Sequence, residues 1–202
     1  MAIAFAGRRF AGGTSRAVAI SVLAIALTAD SLTALAGVTS TTSHRYYNVS
    51  GSSQATLART IRSNPFRGEV ANIRPKYALD VATRKTGNTC KVTNINLSIR
   101  FVLTLPRANE GAMSASTRSV WRNFVSFARH HEERHRAIYL QCAQNFAAKA
   151  QRLSGSDCAG LKAKAQRLLN AEDRACDRRH AAFDRSERRR LSSQPLFRTA
   201  RR

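Results

Sequence analysis

Residues 120–146 read VWRNFVSFARHHEERHRAIYLQCAQNF, and this stretch decides the second half of the fold. Apolar or histidine side chains recur along it every three or four residues, which is the spacing of one face of an α-helix. Ser114 or Ser116 can cap the start of that helix, and Ser154-Gly155-Ser156 can end it. The spacing predicts these inward positions: Val120, Phe124, Phe127, His131, His135, Ile138, Cys142 and Phe146.

Within this helix, residues 131–135 match the metal-binding pattern H-E-x-x-H. Helical positions four apart differ by only about 40°, so the imidazoles of His131 and His135 can bind one ion. Glu132 lies beside them and can take a proton from a water molecule that zinc has made acidic. We therefore predict His131 and His135 as zinc ligands and Glu132 as a general base. The alternative is a structural histidine pair without a metal, which would need other hydrogen-bond partners.

A catalytic zinc usually has three protein ligands and a water, and the third ligand is not evident from the motif. The longer pattern H-E-x-x-H-x-x-G-x-x-H is absent, because Ile138 and Gln141 stand where it needs Gly and His. The ligand is therefore expected from the next helix, folding back near Gly155 so that residues 175–180 face the histidines. The candidates, among which spacing does not choose, are Glu172, Asp173, Asp177 and His180, with Asp184 farther along the helix. The remaining two histidines, His130 and His44, are expected outside the site.

The first half of the chain carries strand patterns. Residues 95–105 alternate strictly between apolar and polar, which predicts a strand with one buried face that Pro106 should end. Short strands are also expected at 46–49 and 77–81. The other predicted elements are a helix capped by Ser52 or Ser53 with Leu57 and Ile61 inward, a turn at 86–88 and a loop at 107–113.

These patterns predict an α+β fold, in which a small antiparallel sheet precedes a long antiparallel helical hairpin that carries the histidines, a zincin-like arrangement. Asp157 should cap the second helix, which runs over 158–189. The domain is expected to span residues 46–190. Residues 37–45 are small and polar and predict a flexible segment, and residues 191–202 predict a mobile basic tail.

Residues 1–36 have the features of a secretion signal. Arg8, Arg9 and Arg16 precede the apolar run 17–27, and Ala34-Leu35-Ala36 matches a signal-peptidase site. The alternative, a membrane anchor, is disfavoured because Asp30 interrupts the run before it is long enough to span a bilayer. We therefore expect an exported protein, periplasmic or extracellular, cleaved after Ala36.

An exported chain with an even number of cysteines predicts disulfides. Four cysteines follow the proposed cleavage site: Cys90, Cys142, Cys158 and Cys176. They allow three pairings, although an unbroken helix over 158–176 would hold its two cysteines roughly 27 Å apart and exclude that pair. Zinc binding by cysteine is disfavoured because the sequence has no C-x-x-C pair.

The net charge of +22 is extreme, and much of the excess is arginine after residue 160. Such a chain is expected to contact polyanions or anionic membrane surfaces non-specifically. We expect no dedicated nucleic-acid partner, because charge by itself indicates solubility and non-specific binding and not a particular function.

Several motifs, in order and spacing, resemble a bacterial family called domain of unknown function 922, whose members are described as secreted zinc-dependent proteases. The resemblance covers roughly residues 46–190. It rests on Tyr46-Tyr47-x-Val49-x-Gly51, Cys90-Lys91-Val92, Thr104-Leu105-Pro106, Trp121, His131-Glu132-Glu133-x-His135-Arg136 and Cys142-Ala143.

The resemblance implies a metalloprotease in which His131 and His135 bind zinc and Glu132 is the general base. Family members often continue with Tyr-Asp and then His-Gly; here Phe183-Asp184 fits the first pair, whereas Arg188-Arg189-Arg190 replaces the second. If that histidine is the third ligand in relatives, Asp184 or His180 must substitute, or the site is degraded. The leading hypothesis is thus a zinc peptidase acting on peptides or proteins, with strand 95–105 aligning the substrate at an exposed edge. The rival is an inactive cationic envelope protein, binding polyanions or a structural metal.

Overall fold

A computed structural model describes residues 37–63 and 69–198 of the chain. The predicted signal, its cleavage site and residues 199–202 lie outside these ranges. So do Pro65 and Gly68, which are expected to end the helix capped by Ser52 or Ser53. The elements in chain order are β1 Val38–Val49, α1 Gln54–Arg62, β2 Asn72–Thr86, β3 Thr89–Ala108, a 3-10 turn Glu110–Ala112, α2 Ala115–Ala150, β4 Ser154–Gly155, α3 Cys158–Ser192 and α4 Pro195–Arg198.

The sheet is mixed, with strand order β1-β3-β2 and the short β4 also paired with β3. Strands β2 and β3 form the antiparallel hairpin predicted around residues 86–88, where Gly87 adopts a positive φ of 59°. Strand β1 pairs with β3 in parallel, so the prediction of an antiparallel sheet was wrong for this strand. The chain between β1 and β3 contains α1 and β2, and a connection of that length permits parallel pairing.

The segment predicted to be flexible, residues 37–45, belongs almost entirely to β1. Its register with β3 begins at Val38 opposite Leu97 and continues without a break to Val49 opposite Ala108. The small polar side chains indicated a solvated segment, but strand pairing uses backbone groups, and threonine and valine favour extended structure. The prediction of flexibility was therefore wrong.

Strand β3 is the centre of the sheet. Its predicted inward residues are 0–1% exposed: Ile95, Leu97, Ile99, Phe101, Leu103 and Leu105. The strand does not end at Pro106 but continues to Ala108, because pairing with β2 stops at Thr104 and only β1 lies beside the proline. Since β3 is paired on both sides over residues 97–104, nearly all of the segment 95–105 has no free edge, and the prediction that it aligns substrate was wrong.

The predicted helical hairpin is present. Ser114 caps α2 by accepting a hydrogen bond from the Thr117 N–H, and Asp157 caps α3 by accepting from Ala159 and Gly160. The buried face of α2 is rotated slightly from the prediction, since Trp121, Ala128 and Glu132 are buried whereas Val120, Phe127 and Ile138 are half-exposed. Glu132 thereby comes to face the protein interior.

Two disulfides fix α3 to the rest of the protein. Cys90 of β3 bonds to Cys158, and Cys142 of α2 bonds to Cys176. The prediction that Cys158 does not pair with Cys176 is confirmed. Disulfides are compatible with an oxidising, exported location. Among the described helices, none is both long and apolar enough to cross a membrane.

The last helix corrects the prediction of a mobile tail from residue 191. Leu196 is 0% and Phe197 6% exposed, and the two pack with Leu57, Ile61 and Phe124 in a second hydrophobic cluster beside the main core. An edge-to-face contact with a centroid distance of 5.3 Å joins the rings of Phe124 and Phe197. The two apolar residues were overlooked because they are surrounded by serine, glutamine, proline and arginine.

Candidate metal centre

Helices α2 and α3 bring three metal-binding side chains together. His131 Nε2 lies 3.2 Å from Asp184 Oδ1, His135 Nε2 lies 2.8 Å from the same oxygen, and the two Nε2 atoms are 3.1 Å apart. The histidines are largely buried, while the Asp184 side chain is 54% exposed. Three potential ligand atoms thus converge at the boundary between protein interior and solvent.

The spacing of these atoms fits a zinc ion. In a tetrahedral zinc site, with ligands near 2.0–2.1 Å, neighbouring ligand atoms lie roughly 3.3 Å apart. The three distances of 2.8–3.2 Å between His131, His135 and Asp184 are slightly shorter, so the triangle has to widen by only a few tenths of an ångström. Two imidazole nitrogens and one carboxylate oxygen also form a ligand set typical of zinc.

His180 contacts the other nitrogen of His135, and Nδ1 of one ring lies 2.8 Å from Nδ1 of the other. Burial, together with the nearby His135, lowers the pKa of His180 to about 4, and burial also lowers the pKa of His135, so both rings are neutral at pH 7. If His135 binds a metal through Nε2, its proton must sit on Nδ1, and His180 Nδ1 can accept it. The Nε2 atom of His180 faces the Cys176 sulfur at 3.6 Å.

Aromatic packing holds the imidazoles in place. The Phe183 ring stacks on His131, with centroids 4.8 Å apart, and meets His135 edge-on at 5.0 Å. The Tyr139 ring covers His180 at 4.0 Å. These contacts restrict the rotamers of the rings, which pre-organises the three potential ligand atoms.

Glu132 projects from α2 toward the start of β2. It is 4% exposed, and its carboxyl group accepts a hydrogen bond from the backbone N–H of Ile73. Burial, together with the negative charges of Asp184 and Glu69, raises the pKa of Glu132 to about 8, against the opposing effects of the Ile73 hydrogen bond and Arg74. A cation held by the neighbouring histidines would favour the carboxylate form.

These groups open into a cleft of about 380 Å³. One wall is the start of β2 with the residues just before it, 69–74, and the other is formed by α2 and α3. Phe127 and Leu191 contribute apolar surface, while Arg188 and Glu187 contribute charge. In the part of the sheet that the structure describes, β2 pairs only with β3, so its other edge is open beside the cleft.

The remaining predicted candidates lie elsewhere. Glu172 pairs with Lys149 at 2.6 Å, and Asp173 accepts a hydrogen bond of 3.0 Å from the Tyr77 hydroxyl. Asp177 is exposed, as are His130 and His44, and none of these residues lines the cleft. Of the five candidates for the third ligand, only His180 and Asp184 are brought to the site, and they occupy different positions in it.

Sequence reasoning missed three contributors to the site. Tyr139 follows His135 by four residues, so helical periodicity could have placed it on the same face. Phe183 precedes Asp184 and could have been recognised as packing beside it. The Ile73 N–H could not have been found, because no local pattern links a strand to a helix that begins more than 40 residues later.

Comparison with known proteins gives one match. No curated protein and no solved structure resembles the chain significantly. A family model described as "bacterial protein of unknown function (DUF922)" matches residues 44–190, which is most of the chain and includes α2, nearly all of α3 and all residues lining the cleft except Leu191. The resemblance inferred from the sequence motifs is thus confirmed, and the chain belongs to the DUF922 family of bacterial proteins.

Proposed function

We propose that this protein is an exported zinc-dependent peptidase. The observation that carries the proposal is the convergence of His131, His135 and Asp184 within one coordination sphere, beside a buried glutamate and an open strand edge. A buried carboxyl group next to potential metal ligands is a costly arrangement, and costly arrangements of this kind cluster at functional sites.

In this proposal His131, His135 and Asp184 hold the zinc. Bound zinc supplies a Lewis acid, which polarises a carbonyl group and makes water acidic enough to attack it. Glu132 accepts the proton of the attacking water and later delivers it to the leaving amine. Its bond from the Ile73 N–H fixes the carboxyl group at the wall of the cleft, and His180 keeps the imidazole of His135 in the tautomer that leaves Nε2 free.

Strand β2 is the proposed binding site for the substrate. An extended peptide can add to an open strand edge through main-chain hydrogen bonds, and the first residues of β2, 72–74, present such an edge beside Glu132. Phe127 and Leu191 would contact an apolar side chain of the peptide, and Arg188 an acidic one. The substrate is therefore a peptide or an unstructured protein segment.

The location is part of the proposal. Residues 1–36 would direct export and be removed after Ala36, and the two disulfides would form in the periplasm or outside the cell. Zinc binding requires that the imidazoles of His131 and His135 are neutral. Burial lowers the pKa of His135, which favours its neutral form.

Metal content of the purified protein is the first test. The wild-type protein is expected to bind one zinc per chain, and the variant His131→Ala/His135→Ala to bind none, measured by elemental analysis and by titration with a zinc indicator. A His130→Ala/His44→Ala variant is the control, since it also removes two histidines. Zinc bound equally by all three proteins, or absent from folded wild type, would contradict the proposed centre.

His180 offers a test of tautomer control that does not depend on activity. His180→Asn can place an amide oxygen where Nδ1 lies, whereas His180→Gln places its amide nearer to the position of Nε2. We expect His180→Asn to keep zinc affinity within a few-fold and His180→Gln to weaken it about 10–100-fold, as measured by competitive titration. Equal losses in the two variants would indicate a purely structural role.

A second candidate function is favoured by one observation. Arg188 lines the cleft and belongs to the Arg188-Arg189-Arg190 run that replaces the His-Gly of the resembled family. On this alternative the protein is a cationic envelope protein in which the three ligands hold a structural metal. If the folded protein binds zinc but hydrolyses no peptide of a library, the envelope protein with a structural metal is favoured over the peptidase.

A further inference from the structure

The outward face of α3 is basic along nearly its whole length. The buried residues Leu161, Ala165, Leu169, Cys176 and His180 define the inner face of the helix. At about 100° per residue, the opposite side carries six cationic side chains, all exposed: Lys164, Arg167, Arg174, Arg178, Arg185 and Arg189. We call these six residues the basic face.

No negative charge interrupts the basic face. The other residues on this side of α3 are glycine, alanine, serine and asparagine. Four of the five acidic residues of the helix lie toward its inner or cleft side, and Asp177 lies at the margin of the basic face. Within residues 37–63 and 69–198, no ion pair joins the six cations to a carboxylate. Ordinary solvated surfaces intersperse both signs of charge, whereas here the potentials of the six cations add along roughly 37 Å of helix.

The shape of the basic face indicates which class of anionic partner it can bind. Proteins that bind single strands of nucleic acid use a groove lined with aromatic side chains, but this face is convex and has no aromatic residue. It also has no large apolar side chain that would insert into hydrocarbon. A flat anionic surface, by contrast, can touch a straight helix along its entire length, and arginine binds phosphate groups through paired hydrogen bonds.

From this geometry we propose that the basic face of α3 binds a membrane surface rich in anionic phospholipid. Clusters of four to eight lysines and arginines on one helix are the sequence feature typical of such binding. Asp184 precedes Arg185 and so points about 100° away from the basic face, which leaves the cleft open beside a bound membrane. The inference does not depend on zinc or on peptidase activity.

The test compares vesicles of phosphatidylcholine with vesicles that also contain phosphatidylglycerol, by co-sedimentation of the full chain. The variant R167Q/R174Q/R178Q/R185Q removes four charges from the basic face. The control variant K76Q/R84Q/K91Q/R100Q removes four exposed charges from β2 and β3, where they lie opposite one another as two like-charged pairs. Both variants have the same net charge and the same N-terminal stretch, so only the location of the lost charge differs.

We expect wild type to bind only the anionic vesicles. The affinity of the α3 variant for these vesicles should be lower by a factor of at least about 100. The control variant should change affinity by less than about threefold, and high salt should release all three proteins. Unchanged circular dichroism would show that the α3 variant is folded. Equal losses in the two variants, undiminished binding of the α3 variant, or binding of inorganic polyphosphate without vesicle binding would each overturn the proposal.

Discussion

Glu132→Gln is expected to reduce peptidase activity about 10²–10⁴-fold while leaving zinc bound. The substitution keeps the size of the side chain and an oxygen that can accept the hydrogen bond from the Ile73 N–H. It removes the group that takes a proton from the attacking water. The measurement is kcat/KM on a fluorescence-quenched peptide library, with zinc content determined on the same preparations.

Glu133→Gln is the matched control for this experiment. Glu133 is the next residue of the same helix, but it pairs with Arg136 at 3.5 Å and does not line the cleft. It should therefore retain nearly full activity. If Glu132→Gln stays as active as Glu133→Gln, Glu132 is not the base, and the mechanism proposed above is wrong.

Removal of the Cys142–Cys176 disulfide is expected to have the next largest effect, on both stability and zinc affinity. Cys176, His180 and Asp184 follow one another at intervals of four residues along α3, so this bond holds the register that brings the latter two to His135 and His131. With a sequence separation of 34, chain entropy predicts a loss of about 3.8 kcal/mol in the free energy of unfolding for C142A/C176A. Zinc affinity of the folded fraction should fall about tenfold.

The other disulfide provides the comparison. Cys90 and Cys158 are separated by 68 residues, so C90A/C158A should lose slightly more stability, about 4.4 kcal/mol on the same model. Its bond lies at the far end of α3 from the cleft, and zinc affinity of the folded fraction should be unchanged. Denaturant unfolding and zinc titration of both variants separate the two effects; a similar loss of zinc affinity in both would mean that general loosening, and not the register of α3, controls the site.

Features decided by neighbouring residues could be predicted from the sequence. The alternation of residues 95–105, the caps Ser53, Ser114 and Asp157, and the turn at Gly87 are local, and the structure has all of them. The position of β1 could not be predicted, because its parallel pairing joins Val38 to Leu97 and no local pattern records such a distant partner. The free edge was consequently assigned to β3, although the outer strands of the described sheet are β1 and β2.

The positions of the residues that form the candidate site could be predicted from the sequence to within about one helical turn. The H-E-x-x-H pattern specified His131, Glu132 and His135, and the hairpin implied that α3 would face them. Which residue of α3 reaches the histidines depends on the path of residues 151–157, where β4 pairs with β3. That path shifts the register by roughly one turn from the expected one, so that His180 lies beside His135 and Asp184 beside His131.

The burial of Leu196 and Phe197 has a consequence for how the chain folds. These two side chains close the cluster built around α1, which lies more than 130 residues earlier in the sequence. That cluster cannot be completed until residues 196 and 197 are available, and contacts between such distant segments form slowly. In the proposed export the chain would cross the membrane unfolded, and a cluster that needs both α1 and residues 196–197 would form only after both segments had crossed.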